Sequence, residues 1–149
     1  MQALTEAVLG GAGRPELAEV EVVVRPALEA TADDVLAADG YLLGTTANFG
    51  YMSGALKHFF DTTFLAVGGA LDESGGAAGS AGATAKRPFG LYLHGRYDLT
   101  GAIRSVLSIT TALGWRQSAA VHEVLGDVDD AALEGAAELG ATLAALLAQ

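Results

Sequence analysis

The fold of this chain is decided by one stretch, Gly40-Tyr-Leu-Leu-Gly-Thr-Thr-Ala-Asn-Phe-Gly-Tyr-Met-Ser-Gly-Ala-Leu-Lys-His-Phe-Phe-Asp61. Its apolar run from Tyr41 to Thr45, bounded by turn residues, is typical of a buried parallel strand. A Gly-bearing loop follows, and Ser53 can cap a helix whose apolar residues recur at helical spacing. Open α/β sheets bind ligands at such strand–loop–helix junctions. We therefore expect the functional site here.

The composition indicates one folded domain that does not bind nucleic acid. The chain has 149 residues, of which 51% are hydrophobic and 17% charged, enough for a single core. Its net charge of −10 lacks the cations that neutralise phosphates. Such an acidic surface suits solubility or a basic partner. The absence of Cys excludes disulfides and thiolate chemistry, and three scattered His predict no metal site.

Neither a membrane span nor a signal peptide is expected. No run of about 20 apolar residues is present, so membrane insertion is not predicted. The first residues lack the basic and apolar regions of a secretory signal. We therefore expect a cytoplasmic protein.

Helices and strands alternate along the whole chain. The pattern predicts a helix that ends at Gly10-Gly11, a β-branched strand over Val20–Pro26, and a short helix capped by Thr31 and Asp34. After the opening stretch it predicts a strand over 88–94, a helix ending at 114, a strand over 115–124 and a last helix after 127. This alternation implies an α/β three-layer domain over 1–149, with a four-stranded parallel sheet. The Gly/Ala-rich segment 66–86 is expected to be a mobile loop.

The 17 residues from Thr45 to Asp61 carry a more specific signal. Their sequence, TTANFGYMSGALKHFFD, resembles the pattern T/S-P-x-x-F/Y-G-x-M-S-G-x-L-K-x-F-x-D of the flavodoxin-like NAD(P)H-dependent FMN reductases and quinone reductases. One position departs from it, since Thr46 replaces the usual Pro and makes the loop less stiff. The resemblance implies a flavodoxin-like parallel sheet, an FMN cofactor and NAD(P)H as electron donor. It also implies a homo-oligomer whose electron acceptor is a quinone or a similar small molecule.

By the same resemblance, the first loop would face the flavin ring. The residues concerned are Thr46, Ala47, Asn48, Phe49, Gly50 and Met52. The flat ring needs an apolar face to stack on, and backbone N–H groups stabilise the negative charge that it gains on reduction. Gly50 would let the backbone approach closely. The alternative is that Phe49 and Tyr51 are ordinary loop hydrophobes at the sheet edge.

A second loop, His94-Gly95-Arg96-Tyr97, follows the next predicted strand, and in the family this position contacts the other edge of the flavin. His94 would hydrogen-bond flavin or substrate, or act as the catalytic proton donor. Arg96 would pair with a phosphate of the nicotinamide cofactor. The simpler alternatives are a strand-end His without a catalytic role and a solvated loop Arg.

Two other functions compete with the reductase. A Ser hydrolase would need a Gly two residues before its nucleophile, and Tyr51-Met-Ser53-Gly lacks it. A flavodoxin-like electron carrier, or a scaffold that binds FMN weakly or not at all, is the stronger alternative. The acidic charge favours the carrier, and the motif favours the reductase.

The first strand of a flavodoxin-like sheet is not found in the sequence. That strand is central in the order 2-1-3-4-5, and the loop after it holds the FMN phosphate. This chain begins with the helix that should follow them. Three explanations are open: the true start lies upstream, which we favour; the strands predicted at 20–26 and 41–45 pair directly; or another chain donates the strand.

Overall fold

Helices cover both faces of a small sheet in the computed structural model of the chain, which describes residues 1–78 and 82–149. The elements are α1 (Gln2–Ala12), a 3-10 turn (Pro15–Leu17), α2 (Ala32–Ala37), β1 (Tyr41–Asn48), β2 (Tyr51–Met52), α3 (Gly54–Thr63), β3 (Pro88–Gly95), α4 (Thr100–Ala112), β4 (Arg116–Gln117), β5 (His122–Leu125) and α5 (Asp130–Leu147). No helix among these residues has both the length and the apolarity that a membrane span requires.

The sheet is mostly parallel, with β3 at its centre. β1 lies along one side of β3, with Tyr41 opposite Phe89 and Thr46 opposite His94. β4 and β5 both lie along the other side, so they form one interrupted strand. β2 instead folds back antiparallel onto the end of β1. The predicted four-stranded parallel sheet is therefore wrong in detail. Among the described residues, three strands are parallel, with β4 and β5 counted as one, and the short β2 is antiparallel.

The strand predicted over 115–124 is broken by a bulge. Phe89 faces Gln117 and Tyr92 faces His122, so the outer strand carries extra residues between these pairs. Ser118 fills the gap, because its N–H and its hydroxyl both donate to the carbonyl of Phe89 at 2.8 Å. The sequence pattern did not predict this interruption, in which extra residues of the outer strand are left unpaired and the ladder is locally disrupted.

Each face of the sheet packs against its own pair of helices. Leu91 and Leu93 of β3 lie in the larger cluster with α3 and α4, where Phe60 and Val106 are fully buried. Tyr92 faces the opposite way, into the cluster formed by α1 and α5. Gly44 is required beside it, since a Cβ at that position would overlap the Tyr92 ring.

The strand predicted over Val20–Pro26 does not form. Val22, Val23 and Val24 are 39%, 55% and 52% exposed, and none of them lies in a ladder. β-Branched residues favour strands because they pack on a half-buried pleated surface, and no described strand pairs with this segment to extend such a surface over it. Direct pairing of 20–26 with β1, the second explanation above, is also wrong, because within residues 1–78 and 82–149 the strands that pair with β1 are β2 and β3.

Helix α1 continues beyond its predicted stop at Gly10-Gly11 and ends at Ala12. The reason is close packing against α5: a Cβ at Gly11 would overlap the carbonyl of Ala137, and one at Gly140 would overlap the carbonyl of Val8. These glycines therefore let two helix backbones touch, and tertiary packing outweighs their poor helix propensity.

Two local predictions are confirmed. Thr31 and Asp34 form a complete capping box at α2, and the hydroxyl of Ser53 accepts from the Leu56 N–H at α3. On the same helix, Lys57 and Asp61 form an ion pair at 2.7 Å.

The described part of the segment 66–86 contains no helix and has one isolated bridge between Leu71 and Ala77. Its ends are fixed, since the buried Thr84 hydroxyl donates to the carbonyl of Val67 at 3.0 Å. The mobility of this loop stays a prediction, and residues 79–81 lie outside the described part of the chain.

Candidate functional site

Three loops meet at the carboxyl edge of the parallel strands. The first connects β1 to β2 and α3, the second connects β3 to α4, and the third follows β5. Gly126 joins the third loop to β3, since its N–H donates to the carbonyl of Gly95 at 2.8 Å. This edge is where parallel α/β sheets bind ligands, and it holds nearly all of the predicted site residues.

The first loop is a two-residue turn with an unusual backbone. Asn48 pairs with Tyr51, so only Phe49 and Gly50 connect the two strands. Both have positive φ, 51° and 75°, as a type I′ turn requires. This conformation costs a bulky residue about 1 kcal/mol. The Phe49 side chain has a relative exposure of 109%, so no packing within the chain compensates for that cost.

Thr45 and α4 hold the turn in place. The buried hydroxyl of Thr45 donates to the carbonyl of Thr46 and accepts from the N–H of Ser53, both at 2.9 Å. From the other side, Gly101 at the start of α4 lies so close that a Cβ there would overlap the carbonyl of Gly50. The turn is thus fixed before any ligand arrives.

Asp98 supports the same contact from the second loop. Its carboxylate accepts from the N–H of Thr100 at 3.0 Å, in the first turn of α4. This backbone hydrogen bond, together with that from the Thr100 hydroxyl, lowers the pKa of Asp98 below its usual value. The same carboxylate lies against Gly50, where a Cβ would stand 3.2 Å from its oxygen.

The turn presents hydrogen-bond donors beside its aromatic side chain. In the part of the chain that the structure describes, the backbone N–H groups of Phe49 and Gly50 make no hydrogen bond. Two further aromatic side chains are exposed near the turn: Tyr51, which follows it, is 45% exposed, and Tyr97 of the second loop is 92% exposed. A flat, apolar ring with acceptors on one edge matches this combination of exposed aromatics and unpaired donors.

His94 is bound to the third loop. Its Nε2 lies 2.6 Å from the carbonyl of Gly126, and a carbonyl only accepts, so Nε2 carries the proton. In a neutral ring the other nitrogen is then an acceptor. His94 is half-buried, and it stands opposite Thr46 on the face of the sheet that α1 and α5 cover. This geometry gives the His a structural bond, and its predicted role as proton donor stays a prediction.

Arg96 is paired with Asp127 of the third loop at 3.0 Å, and both side chains are mostly exposed. An exposed pair of this kind contributes only about 0–1 kcal/mol to stability. The Asp127 carboxylate partly offsets the positive charge of Arg96, the charge that the sequence predicts would pair with a cofactor phosphate.

Not all predicted site residues face the edge. Met52 is 2% exposed and lies in the core under α3, so it supports the turn from below, and its predicted contact with the cofactor stays a prediction. Ala47 and Gly95 lie side by side, and a Cβ at Gly95 would stand 3.0 Å from that of Ala47. Thr46 is half-buried, while Asn48 is exposed next to the turn.

Sequence reasoning missed the residues that position the turn. Asp98 and Gly101 stand in Asp-Leu-Thr-Gly, an acidic residue just before a helix, which is a recognisable start signal. Gly126-Asp127 is a turn signal after a strand. Neither pattern reveals that both loops meet the first one, because this contact depends on the order of the strands.

Comparisons with known proteins identify the fold. No family model and no curated protein matches the sequence. Solved structures do match: a flavodoxin from the domain Archaea has a TM-score of 0.75 at 17% identity, covering 99% of this chain and 90% of that one. The fold is flavodoxin-like. A flavodoxin, WrbA-like protein from Agrobacterium tumefaciens has a TM-score of 0.69 at 17% identity, covering 97% and 87% of the two chains.

A third similar structure is an NADPH-quinone reductase from P. pentosaceus, with a TM-score of 0.53 at 12% identity, covering 76% of this chain and 71% of that one. At these identities the likeness establishes the flavodoxin-like fold and leaves activity to be argued from the site.

Proposed function

We propose that the chain is an FMN-dependent oxidoreductase that takes electrons from NAD(P)H and passes them to a quinone or a similar acceptor. The observation that carries the proposal is the Phe49-Gly50 turn, a strained, fully exposed aromatic beside unpaired N–H groups at the ligand-binding edge of the sheet. Strain of this kind persists where function requires it and the surrounding structure holds it.

The residues at this edge fit the ring part of a flavin. Phe49 and Tyr97 offer apolar faces for stacking, and the N–H groups of Phe49 and Gly50 offer donors to the edge of the ring that becomes negative on reduction. When bound, FMN would supply the chemistry by accepting a hydride and releasing electrons singly or in pairs. The chain itself would orient the ring and stabilise its charge.

Each supporting group has a defined role in this proposal. Thr45 and Gly101 hold the turn so that its donors point outward without reorganisation, which is what makes fixed dipoles effective. His94 positions the third loop through its bond to Gly126. Arg96 remains the candidate partner of a nicotinamide phosphate, which would compete with Asp127 for the guanidinium group.

Two observations bear on the choice between reductase and electron carrier. Two likenesses favour the reductase: the 17-residue motif resembles that of the reductases, and the fold of this chain is similar to that of the P. pentosaceus quinone reductase. The higher TM-score of the archaeal flavodoxin and the charge of −10 favour a carrier. Both functions need the flavin, and they differ in whether NAD(P)H reduces it directly.

The test is NAD(P)H oxidation by the purified chain supplemented with FMN, with and without a quinone. The reductase predicts nicotinamide oxidation that depends on both protein and quinone and that exceeds the rate with free FMN. An electron carrier predicts a bound flavin that dithionite reduces and NAD(P)H does not. Protein that neither binds FMN nor oxidises NAD(P)H would refute both functions.

A further inference from the structure

The Asp98 carboxylate lies against the turn that faces the proposed flavin ring. One of its oxygens accepts from the N–H of Thr100 at 3.0 Å, which fixes the side chain at the start of α4. The other oxygen would be 3.2 Å from a Cβ at Gly50. A C–C bond is about 1.5 Å long, so this oxygen lies within about 5 Å of the Gly50 Cα. The carboxylate and the Gly50 N–H are therefore close neighbours.

No nearby cation neutralises this carboxylate. Asp98 has no ion pair in the part of the chain that the structure describes, whereas Asp127 of the third loop is paired with Arg96. Hydrogen bonds, chiefly from the Thr100 N–H, lower the pKa of Asp98, so the group is ionised at neutral pH. The positive end of the α4 dipole also favours an anion at this position. A full negative charge thus stands beside the proposed flavin site.

The start of α4 does not require that charge. The first N–H groups of a helix need an acceptor oxygen, which Asn or Ser supplies as well as Asp. The hydrogen bond to Thr100 therefore accounts for the oxygen atom of Asp98. The effect of the charge on a ligand of the turn is a separate question.

We propose that Asp98 lowers the reduction potential of the bound flavin, because its charge makes the site bind the reduced ring more weakly. This inference rests on the proposed function, since it requires that the turn binds a flavin. The ring becomes negative on reduction, and a carboxylate at close range repels that charge, while the N–H groups of Phe49 and Gly50 attract it.

Binding and reduction of the flavin are linked, so weaker binding of the reduced ring lowers the potential by the same free energy. Asp98 would thus make the reduced flavin a stronger electron donor to its acceptor. The same charge would make reduction of the flavin by NAD(P)H less favourable. Asp98 is in this sense a tuning residue, which acts on the ring through its charge.

The experiment measures the Kd of oxidised and of dithionite-reduced riboflavin for the full chain, without oxygen, at a pH where the reduced ring is an anion. Riboflavin has the ring of FMN and lacks its phosphate, so only the charge of the ring changes. The variant Asp98→Asn keeps an acceptor for the Thr100 N–H and removes the charge.

We expect the ratio of the reduced to the oxidised Kd to fall about fivefold in Asp98→Asn. Coulomb's law gives about this factor for unit charges about 8 Å apart at an effective dielectric constant of about 40. For a two-electron couple, it corresponds to a rise in potential of about 20 mV. Asp98 is exposed, so the difference between variant and wild type should shrink in 0.5 M salt.

The matched control is Asp72→Asn, in the segment that precedes the amino end of β3. Asp72 is also exposed and also caps a turn, since it accepts from the N–H groups of Ser74 and Gly76 at 2.9 and 3.0 Å. Its loss changes the net charge equally, and the ratio should not change. Asp98→Glu keeps the charge, and its ratio should stay close to that of the wild type.

Three results would overturn the inference and leave the flavin site in place. They are a ratio that Asp98→Asn does not change, an equal change in Asp72→Asn, and an equal change in Asp98→Glu, which would indicate a structural role. Absence of saturable riboflavin binding by the wild type would instead refute the flavin site, and this inference with it.

Discussion

At the scale of single residues, Phe49 has the clearest conflict between local stability and proposed function. Its φ of 51° is strained for an aromatic residue, and its fully exposed ring contributes no burial to the fold. Asn is the preferred residue at this position of a type I′ turn before Gly. The sequence predicted an aromatic loop here, and the strain became visible only with the backbone.

Replacing Phe49 by Asn should therefore stabilise the protein and weaken the flavin site together. We expect the free energy of unfolding to rise by about 1 kcal/mol, because the left-handed strain is removed without loss of packing. Loss of the stacking face should weaken flavin binding about tenfold. Urea denaturation measures the first effect, and a variant less stable than the wild type would contradict the assignment of strain.

Asp98 gives a pH-dependent prediction at the same scale. Its pKa is lowered in the folded chain, chiefly by the Thr100 N–H. The stabilisation is therefore present above the unfolded-state pKa of about 4 and is lost as the pH falls through the lower folded-state value. Asp98→Ala should reduce the melting temperature at pH 7, and the difference from wild type should shrink towards pH 2.

Thermal melts of both proteins across this pH range measure the contribution of Asp98. All other acidic groups are present in both proteins, so their titration cancels in the difference between the two melting temperatures. A difference that does not depend on pH would show that the carboxylate acts without its charge.

At the scale of elements, the sequence predicted the helices and the two longest strands well, because their apolar periodicities are local properties. The strand predicted over Val20–Pro26 was wrong, because β-branched residues favour a strand only where a neighbouring strand pairs with them. The sequence also ended α1 at Gly10-Gly11, because helix propensity does not report the contact with α5. Both differences come from tertiary contacts that a single segment does not encode.

Two adjacent glycines of α1 provide a matched test of the helix contact. A Cβ at Gly11 would overlap the backbone of Ala137, whereas a Cβ at Gly10 has nothing within 4 Å. We expect Gly11→Ala to destabilise the protein by about 2 kcal/mol through overpacking. Gly10→Ala should instead stabilise it by about 0.5–1 kcal/mol through helix propensity. Chemical denaturation of the two variants measures both, and equal effects would contradict the close α1–α5 packing.

At the scale of the whole molecule, the fold brings loops from three strands to one edge, and this convergence makes the site. The sequence located two of these loops from local patterns. It did not locate the loop of Gly126 and Asp127, or the contact of Gly101 with the first turn, because those depend on which strands are neighbours. The flavodoxin-like fold was predictable, and the support of the turn was not.

The net charge of the molecule predicts how salt acts on the proposed site. A charge of −10 repels the phosphate of FMN over a distance comparable to the Debye length. FMN should therefore bind more tightly at 0.5 M than at 0.02 M salt, while uncharged riboflavin should bind nearly equally at both. Fluorescence titrations of the two flavins measure this, and FMN affinity that falls with salt would indicate a cationic phosphate site instead.

The central claim is that the Phe49-Gly50 turn binds a flavin ring, and its most direct test is a titration of FMN fluorescence with the wild-type chain and Phe49→Asn. The account predicts saturable one-to-one quenching by the wild type and about tenfold weaker binding by the more stable variant. Absence of saturable quenching, or equal affinity of the two proteins, would contradict it.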